Sequence, residues 1–231
     1  MAPPRLCRLF LFDLDGTLID SREDIARAVN AALLRLGLPS LSAADVLRFV
    51  GDGIEILMDR ALRAVSGKAP DPGQVALAVR IMVQEYEARL FESTRLYPGV
   101  RDTLGALQGA RLGLISNKLE SLSRELLRGF GLESLFSVIL GSDSLPRRKP
   151  DPLPVAVAMA RTGAIAAETV MVGDSRTDIL AGKAAGVATC GVTWGFRSRE
   201  ELEAAGCDRI IDSMSELLQL YAPPQADLHH S

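Results

Sequence analysis

Two rhythms of apolar positions run along this chain, and the places where one gives way to the other divide it. Leu6-Cys7-Arg8-Leu9-Phe10-Leu11-Phe12 is short and almost continuously apolar, the pattern of a strand buried on both faces. From Asp20 the period becomes helical. Ile25, Ala28, Val29, Ala32, Leu33 and Leu36 recur at three and four, with Gly37 placed to end that helix. Ser42 with Asp45 predicts a capped short helix reaching Val50. Ile54, Leu57, Met58, Ala61, Leu62 and Val65 form a third stripe, and Asp71-Pro72 opens a fourth helix through Val75, Val79, Met82, Val83, Tyr86 and Leu90. Residues 20–91 read as four helices and no strand.

After Pro98-Gly99 helix and strand alternate. Helices are expected at 101–107, 120–130, 152–162 and 176–185, and strands at 112–115, 137–140, 170–172 and 187–192. Ser198 with Glu201 and Ser213 with Glu216 open two late helices around a short strand at Ile210-Ile211. Such alternation predicts right-handed crossovers and a parallel sheet covered on both faces. The expected fold class is α/β. A doubly wound, Rossmann-like core takes residues 1–19 and 92–231, and a helical insertion takes 20–91. The tail from Ala222 reads as loose.

Composition narrows the chemistry. With 231 residues and 48% hydrophobic content the chain can bury a real core, and a net charge of −3 leaves no nucleic-acid footprint. No apolar run approaches the ~18 residues that span a bilayer. The N-terminus is too short and interrupted for a signal peptide, so a cytoplasmic protein is expected. Nothing in the sequence speaks to oligomeric state. Only two histidines occur, His229 and His230, both in the last three residues. That argues against a histidine-based triad or dyad and against His-ligated zinc or iron. Cys7, Cys190 and Cys207 lack metal or redox spacing. Carboxylates, lysines, hydroxyls and amides are left to do the chemistry. Lysine is scarce, limited to Lys68, Lys118, Lys149 and Lys183.

Polar groups of those kinds cluster where predicted strands end, which is where an open parallel sheet binds ligands. Asp13-Leu14-Asp15-Gly16-Thr17 follows the first strand. In an extended segment Asp13 and Asp15 point the same way, and close carboxylates repel unless a cation or a shared proton relieves them. Gly16 lets the backbone turn and present amides, with that of Thr17, to an anion. Gly173-Asp174-Ser175-Arg176-Thr177-Asp178 follows another strand, with Asp174 at a helix N-cap and Asp178 one turn in. Two carboxylate clusters with oxygen-only ligation suit Mg²⁺. Lys149, stiffened by Pro150 and Pro152, and Ser116-Asn117 supply a cation, a hydroxyl and an amide at two further strand ends. Together they compose an anion-and-metal site suited to phosphoryl transfer. There is no Walker-type loop and no dinucleotide fingerprint.

Four ordered motifs, Asp13–Thr17, Ser116-Asn117, Lys149-Pro150 and Gly173–Asp178, resemble the haloacid dehalogenase superfamily, and the insertion resembles its C1-type cap. Asp15 places the likeness in the phosphotransferase branch. Phe12–Ser21, Val50–Gly53, Leu57–Leu62, Val172–Ile179 and Gly191–Phe196 are similar to phosphoglycolate phosphatases, with Asp52 standing where a neutral residue is expected. The resemblance implies an aspartyl-phosphate mechanism on a small phosphorylated substrate. Asp13 would be the nucleophile and Asp15 the acid and base. Mg²⁺ would sit on Asp13, Asp174 and the main-chain carbonyl of Asp15. Gly16, Thr17, Ser116, Asn117 and Lys149 would hold the phosphoryl group, with Ser175 and Asp178 behind them as partners of Lys149 or of metal-bound water. Gly51, Gly53 and Arg60 are candidates for the substrate's other end. Mutase, pyrophosphatase and sugar-phosphate phosphatase activities share such a core and stay open. A receiver-like signalling module is a more distant alternative.

Overall fold

The structure is a computed structural model, and it describes residues 4–224. The described residues fall into two compact units, one of residues 19–95 and one of those before 19 together with those after 95. His229 and His230 lie outside the described residues.

The first unit is built on six parallel strands. They are β2 (Leu9–Phe12), β5 (Arg111–Ile115), β6 (Phe136–Leu140), β7 (Thr169–Gly173), β8 (Ala188–Val192) and β9 (Arg209–Ile211), in the order β6-β5-β2-β7-β8-β9. Phe12 stands level with Leu114 of β5 on one side and Val172 of β7 on the other. Strand order therefore turns at β2, and a crevice opens beyond its carboxyl end. Helices α5 (Val100–Ala106), α6 (Glu120–Gly129), α7 (Leu153–Thr162), α8 (Arg176–Ala184) and α9 (Arg199–Ala204) link the strands. They cover them so well that β2, β7 and β8 are buried along their whole length. Leu9, Leu11, Ile115, Val138, Leu140 and Met171 of the strands meet Val155, Ala158 and Ala181 of α7 and α8 in one apolar cluster.

The structure departs from the local sequence pattern at both ends of the chain. The first apolar run is broken at Cys7-Arg8. Its start, β1 (Arg5–Leu6), leaves the sheet and pairs with β10 (Tyr221–Ala222). Ala222 is therefore held, because its carbonyl also accepts from the Cys7 amide at 2.9 Å. At the second late cap, Ser213 precedes a 3₁₀ turn, Met214–Glu216, before the four-residue α10 (Leu217–Leu220). The Ser213 hydroxyl reaches the Glu216 carboxylate, not a helix amide.

The second unit holds α1 (Arg22–Arg35), α2 (Ala43–Phe49), α3 (Ile54–Ser66) and α4 (Pro72–Glu87). Asp71 and Gln74 exchange the two bonds of a capping box at the start of α4. Ile25, Val29 and Leu33 of α1, Met58 and Leu62 of α3, and Met82 and Tyr86 of α4 are buried. The chain crosses between units at β3 (Ile19–Asp20) and β4 (Arg95–Leu96), which pair as a two-stranded ribbon too short for periodicity to reveal. Just inside that ribbon Asp24, fully buried, ties the two ends of the unit together. Its carboxylate accepts from the amides of Ser93 (3.0 Å) and Thr94 (2.8 Å), and from the Thr94 hydroxyl at 2.6 Å.

Candidate active site

Six groups of the core unit, Asp13, Ser116, Asn117, Lys149, Asp174 and Asp178, lie at the carboxyl ends of β2, β5 and β7 and in the loop after β6. The Asp13 amide bonds the Val172 carbonyl at 2.9 Å, so its side chain leaves the sheet level with the end of β7. Lys149 is the hub. Its ammonium lies 2.8 Å from Asp13 Oδ1 and 2.6 Å from Asp178 Oδ1, and donates to the Ile115 carbonyl at 2.5 Å. It is buried, 2% exposed, so a long flexible side chain is held by three oxygens in one position. Asn117 donates to the Lys149 carbonyl at 2.9 Å and pins the loop that delivers it. Ser116 is buried beside Asn117, its amide on the Leu140 carbonyl at 2.9 Å.

Asp13, Asp174 and Asp178 can bring one oxygen each within 4.8 Å of one another. Ionised, they carry three negative charges against the single positive charge of Lys149. Burial is the main cause that pushes Asp13 up from 3.8 to about 7, with the Asp178 and Asp15 charges adding to it and Lys149 opposing. Asp174 is raised well above the carboxylate range by burial and then by Asp13 and Asp178, with the Phe196 amide pulling the other way. Lys149 stays firmly protonated. Burial works against its charge, but Asp13 and Asp178 outweigh that.

Asp178 spends its second oxygen on Ser175, taking its amide at 3.1 Å and its hydroxyl at 2.6 Å. Ser175, not Asp174, is the N-cap of α8, and Asp174 stands one residue before it. The reason is this exchange with Asp178, a capping box the acidic spacing alone did not show. Asp15 also departs from the extended-segment reading. The chain turns after Asp13, with the Leu18 amide on the Leu14 carbonyl at 2.9 Å. Asp15 stands outside the three-carboxylate cluster and pairs with Lys118 at 3.2 Å.

Gly16 has φ of +84°, and a Cβ there would lie 2.3 Å from Asp174 Oδ2. The turn thus needs glycine for its backbone and again for the carboxylate packed against it. Thr17 is fully buried and its hydroxyl makes no hydrogen bond. Gly51 and Gly53 both sit at positive φ (118° and 99°) in the helical unit. There Arg60 is already engaged, 2.7 Å from Asp52 and 3.2 Å from the Phe49 carbonyl.

Two contributors have no role in the reading of the sequence. The stretch around Gly195 closes the site from β8: the Phe196 amide donates to Asp174 at 2.7 Å, Trp194 donates to the Thr17 carbonyl at 3.1 Å, and a Cβ on Gly195 would strike Asp174. Lys118 is the other, and its signal was available as one of only four lysines, placed at a strand end.

The family model for haloacid dehalogenase-like hydrolases matches residues 10–192, from β2 through β8. The chain belongs to the haloacid dehalogenase-like hydrolase family. Curated relatives in this haloacid dehalogenase-like family include a phosphoglycolate phosphatase of Pseudomonas putida, 39% identical over 96% of this chain and 82% of its own length. Another, of Chromobacterium violaceum, is 41% identical over 90% of this chain and 94% of its own. A crystal structure of a predicted phosphoglycolate phosphatase from Haemophilus somnus superposes with a TM-score of 0.87 at 34% identity, covering 92% of this chain and 96% of that one. The chain is accordingly an enzyme, a hydrolase of the haloacid dehalogenase-like family. Among the described residues no helix is long and apolar enough to cross a membrane.

Proposed function

We propose that this protein is a Mg²⁺-dependent phosphomonoesterase that converts 2-phosphoglycolate to glycolate and phosphate. The observation that carries the reaction class is the buried set of Asp13, Asp174 and Asp178 around one lysine. Fully ionised, the set carries two negative charges beyond the one Lys149 offsets, all on hard oxygen donors, which is what a divalent cation relieves. The relatives named for phosphoglycolate support the substrate.

Asp13, Asp174 and the main-chain carbonyl of Asp15 would hold the ion, since Asp178 already serves Lys149 and Ser175. When bound, Mg²⁺ supplies charge neutralisation for the nucleophile and the phosphoryl group. The protein's own groups do the rest. An Asp13 oxygen bonds to phosphorus as the ester P–O bond breaks, and Asp15 gives its proton to the leaving oxygen. Asp15 then takes a proton from the water that attacks phosphorus. This cleaves the acyl phosphate and restores the Asp13 carboxylate. Lys149, Ser116, Asn117 and the amides of Gly16 and Thr17 hold the phosphoryl oxygens. Asp178 and Ser175 keep Lys149 aimed. The helical unit acts as a cap that excludes water. Its Arg60 and the Gly51–Gly53 amides take the substrate's carboxylate. Arg60 must share its charge with Asp52 to do so.

A panel of phosphomonoesters assayed for phosphate release, with and without Mg²⁺, tests the reading. We expect 2-phosphoglycolate to lead the panel, EDTA to abolish turnover, and Asp13→Asn to be inactive. A sugar phosphate preferred over 2-phosphoglycolate would refute the substrate. Substantial turnover by Asp13→Asn would refute the mechanism.

A further inference from the structure

We propose that Lys118 is a positioning residue that sets Asp15 for proton delivery to the leaving group. The inference rests on the reading of Asp15 as the acid of the phosphatase reaction, and extends it to a residue outside that machinery.

The Lys118 ammonium lies 3.2 Å from Asp15 Oδ2, with side-chain exposures of 9% and 13%. An exposed pair of this kind would be worth little, but this one is largely withdrawn from water. The stem is anchored as well. The Lys118 amide donates to the Ser116 hydroxyl at 3.2 Å, and the Lys118 carbonyl accepts from the Ser142 amide at 2.9 Å. Two residues on, the Glu120 amide donates to Asp143 at 2.8 Å, and a Cβ on Gly141 would lie 2.1 Å from that same amide. The loop after β5 is thus laced to the loop after β6. A lysine, ordinarily a mobile point charge, projects here from a backbone that cannot shift.

Asp15 is the carboxylate that Lys118 faces. It stands apart from the three clustered carboxylates, and its charge and that of Asp13 oppose one another. The other buried lysine is committed to Asp13, Asp178 and the Ile115 carbonyl. An ammonium on Oδ2 constrains the rotation of the Asp15 carboxyl group about its Cβ–Cγ bond. Proton transfer needs hydrogen-bond reach and alignment, so a displaced acid fails even where it is present.

The consequence depends on the leaving group. In the first step the Asp13–phosphorus bond forms, the ester P–O bond breaks, and the Asp15 proton goes to the ester oxygen. An alkoxide such as that of glycolate requires that proton, whereas p-nitrophenolate leaves without it. Lys118→Met, nearly the same shape without the charge, should separate the two. At saturating substrate with Mg²⁺, rapid-quench release of glycolate in the first turnover should fall roughly tenfold or more, while the p-nitrophenolate burst stays within about twofold. Lys118→Gln should repeat the split, and the intact burst reports a folded site in both variants. Equal losses with both substrates would mean a structural lysine. A raised KM with unchanged first-turnover rates would mean a substrate contact. Either overturns the assignment. Asp15→Asn is run alongside and should show the same split more strongly. If it shows none, the acid reading of Asp15 falls and the Lys118 inference falls with it. A split in Asp15→Asn without one in Lys118→Met overturns the lysine's role alone.

Discussion

Lys149→Met tests whether the core site is held by charge. The substitution removes an ammonium lying 2.8 Å from Asp13, 2.6 Å from Asp178 and 2.5 Å from the Ile115 carbonyl, all at a residue 2% exposed. Breaking a buried pair costs about 3–5 kcal/mol because the remaining charge is stranded. The orphaned carbonyl adds ~1 kcal/mol or more. Against a total stability of roughly 5–15 kcal/mol, that is a large share. The assay is equilibrium urea unfolding in EDTA at pH 8, where Asp13 of the wild type is mostly ionised; in the variant, loss of the ammonium pushes Asp13 further up, so part of the cost is read as proton uptake. Two further arms isolate the cause. In Lys149→Met/Asp178→Asn one stranded carboxylate is gone, so the double variant should recover about 2 kcal/mol relative to additivity. Adding Mg²⁺ should stabilise Lys149→Met more than wild type, since its site carries one more uncompensated charge. A Lys149→Met protein within about 1 kcal/mol of wild type in EDTA, or strict additivity in the double variant, would refute the electrostatic account.

Two further outcomes follow from the buried carboxylates. In EDTA the folded protein keeps a proton on Asp13 to about pH 7, while the unfolded chain releases it near 3.8. The folded state binds more protons at Asp13 across that window, so this group's contribution to stability is full below about pH 4 and is lost as pH rises to about 7. Asp13→Asn should flatten the decline in a pH series of thermal melts, and an unchanged slope would assign it to other groups. Asp24→Asn presents an amide NH₂ to a site built of N–H and O–H donors. It should cost roughly 3 kcal/mol and loosen hydrogen-exchange protection at Ser93 and Thr94 first. Uniform loss of protection along α1 and α4 would argue against a local clamp.

Most of the fold was legible because its signals are local. The buried strands carry continuous apolar runs, and the helices carry stripes with caps such as Asp71 with Gln74. What escaped depends on partners far along the chain. Nothing local says that Arg5–Leu6 pairs with Tyr221–Ala222, or that residues 19–20 and 95–96 form a ribbon. The site divides the same way. Asp13, Ser116, Lys149 and Asp174 were readable because strand ends converge in a parallel sheet. The Asp15–Lys118 pair and the Phe196 amide on Asp174 were not, since each joins loops that only the sheet order makes neighbours.

The Asp24 clamp bears on how this chain could have been assembled. A flexible excursion the length of residues 19–95 would charge the core about 4 kcal/mol in loop-closure entropy. Here one carboxylate on the first turn of α1 seizes the last residues before the return crossing, so the excursion closes on itself. To the core sheet it is topologically a hairpin, whatever lies between its ends. Segments of other lengths and shapes could be exchanged above the same two crossings at little entropic expense, provided each newcomer brings its own way of sealing the joint.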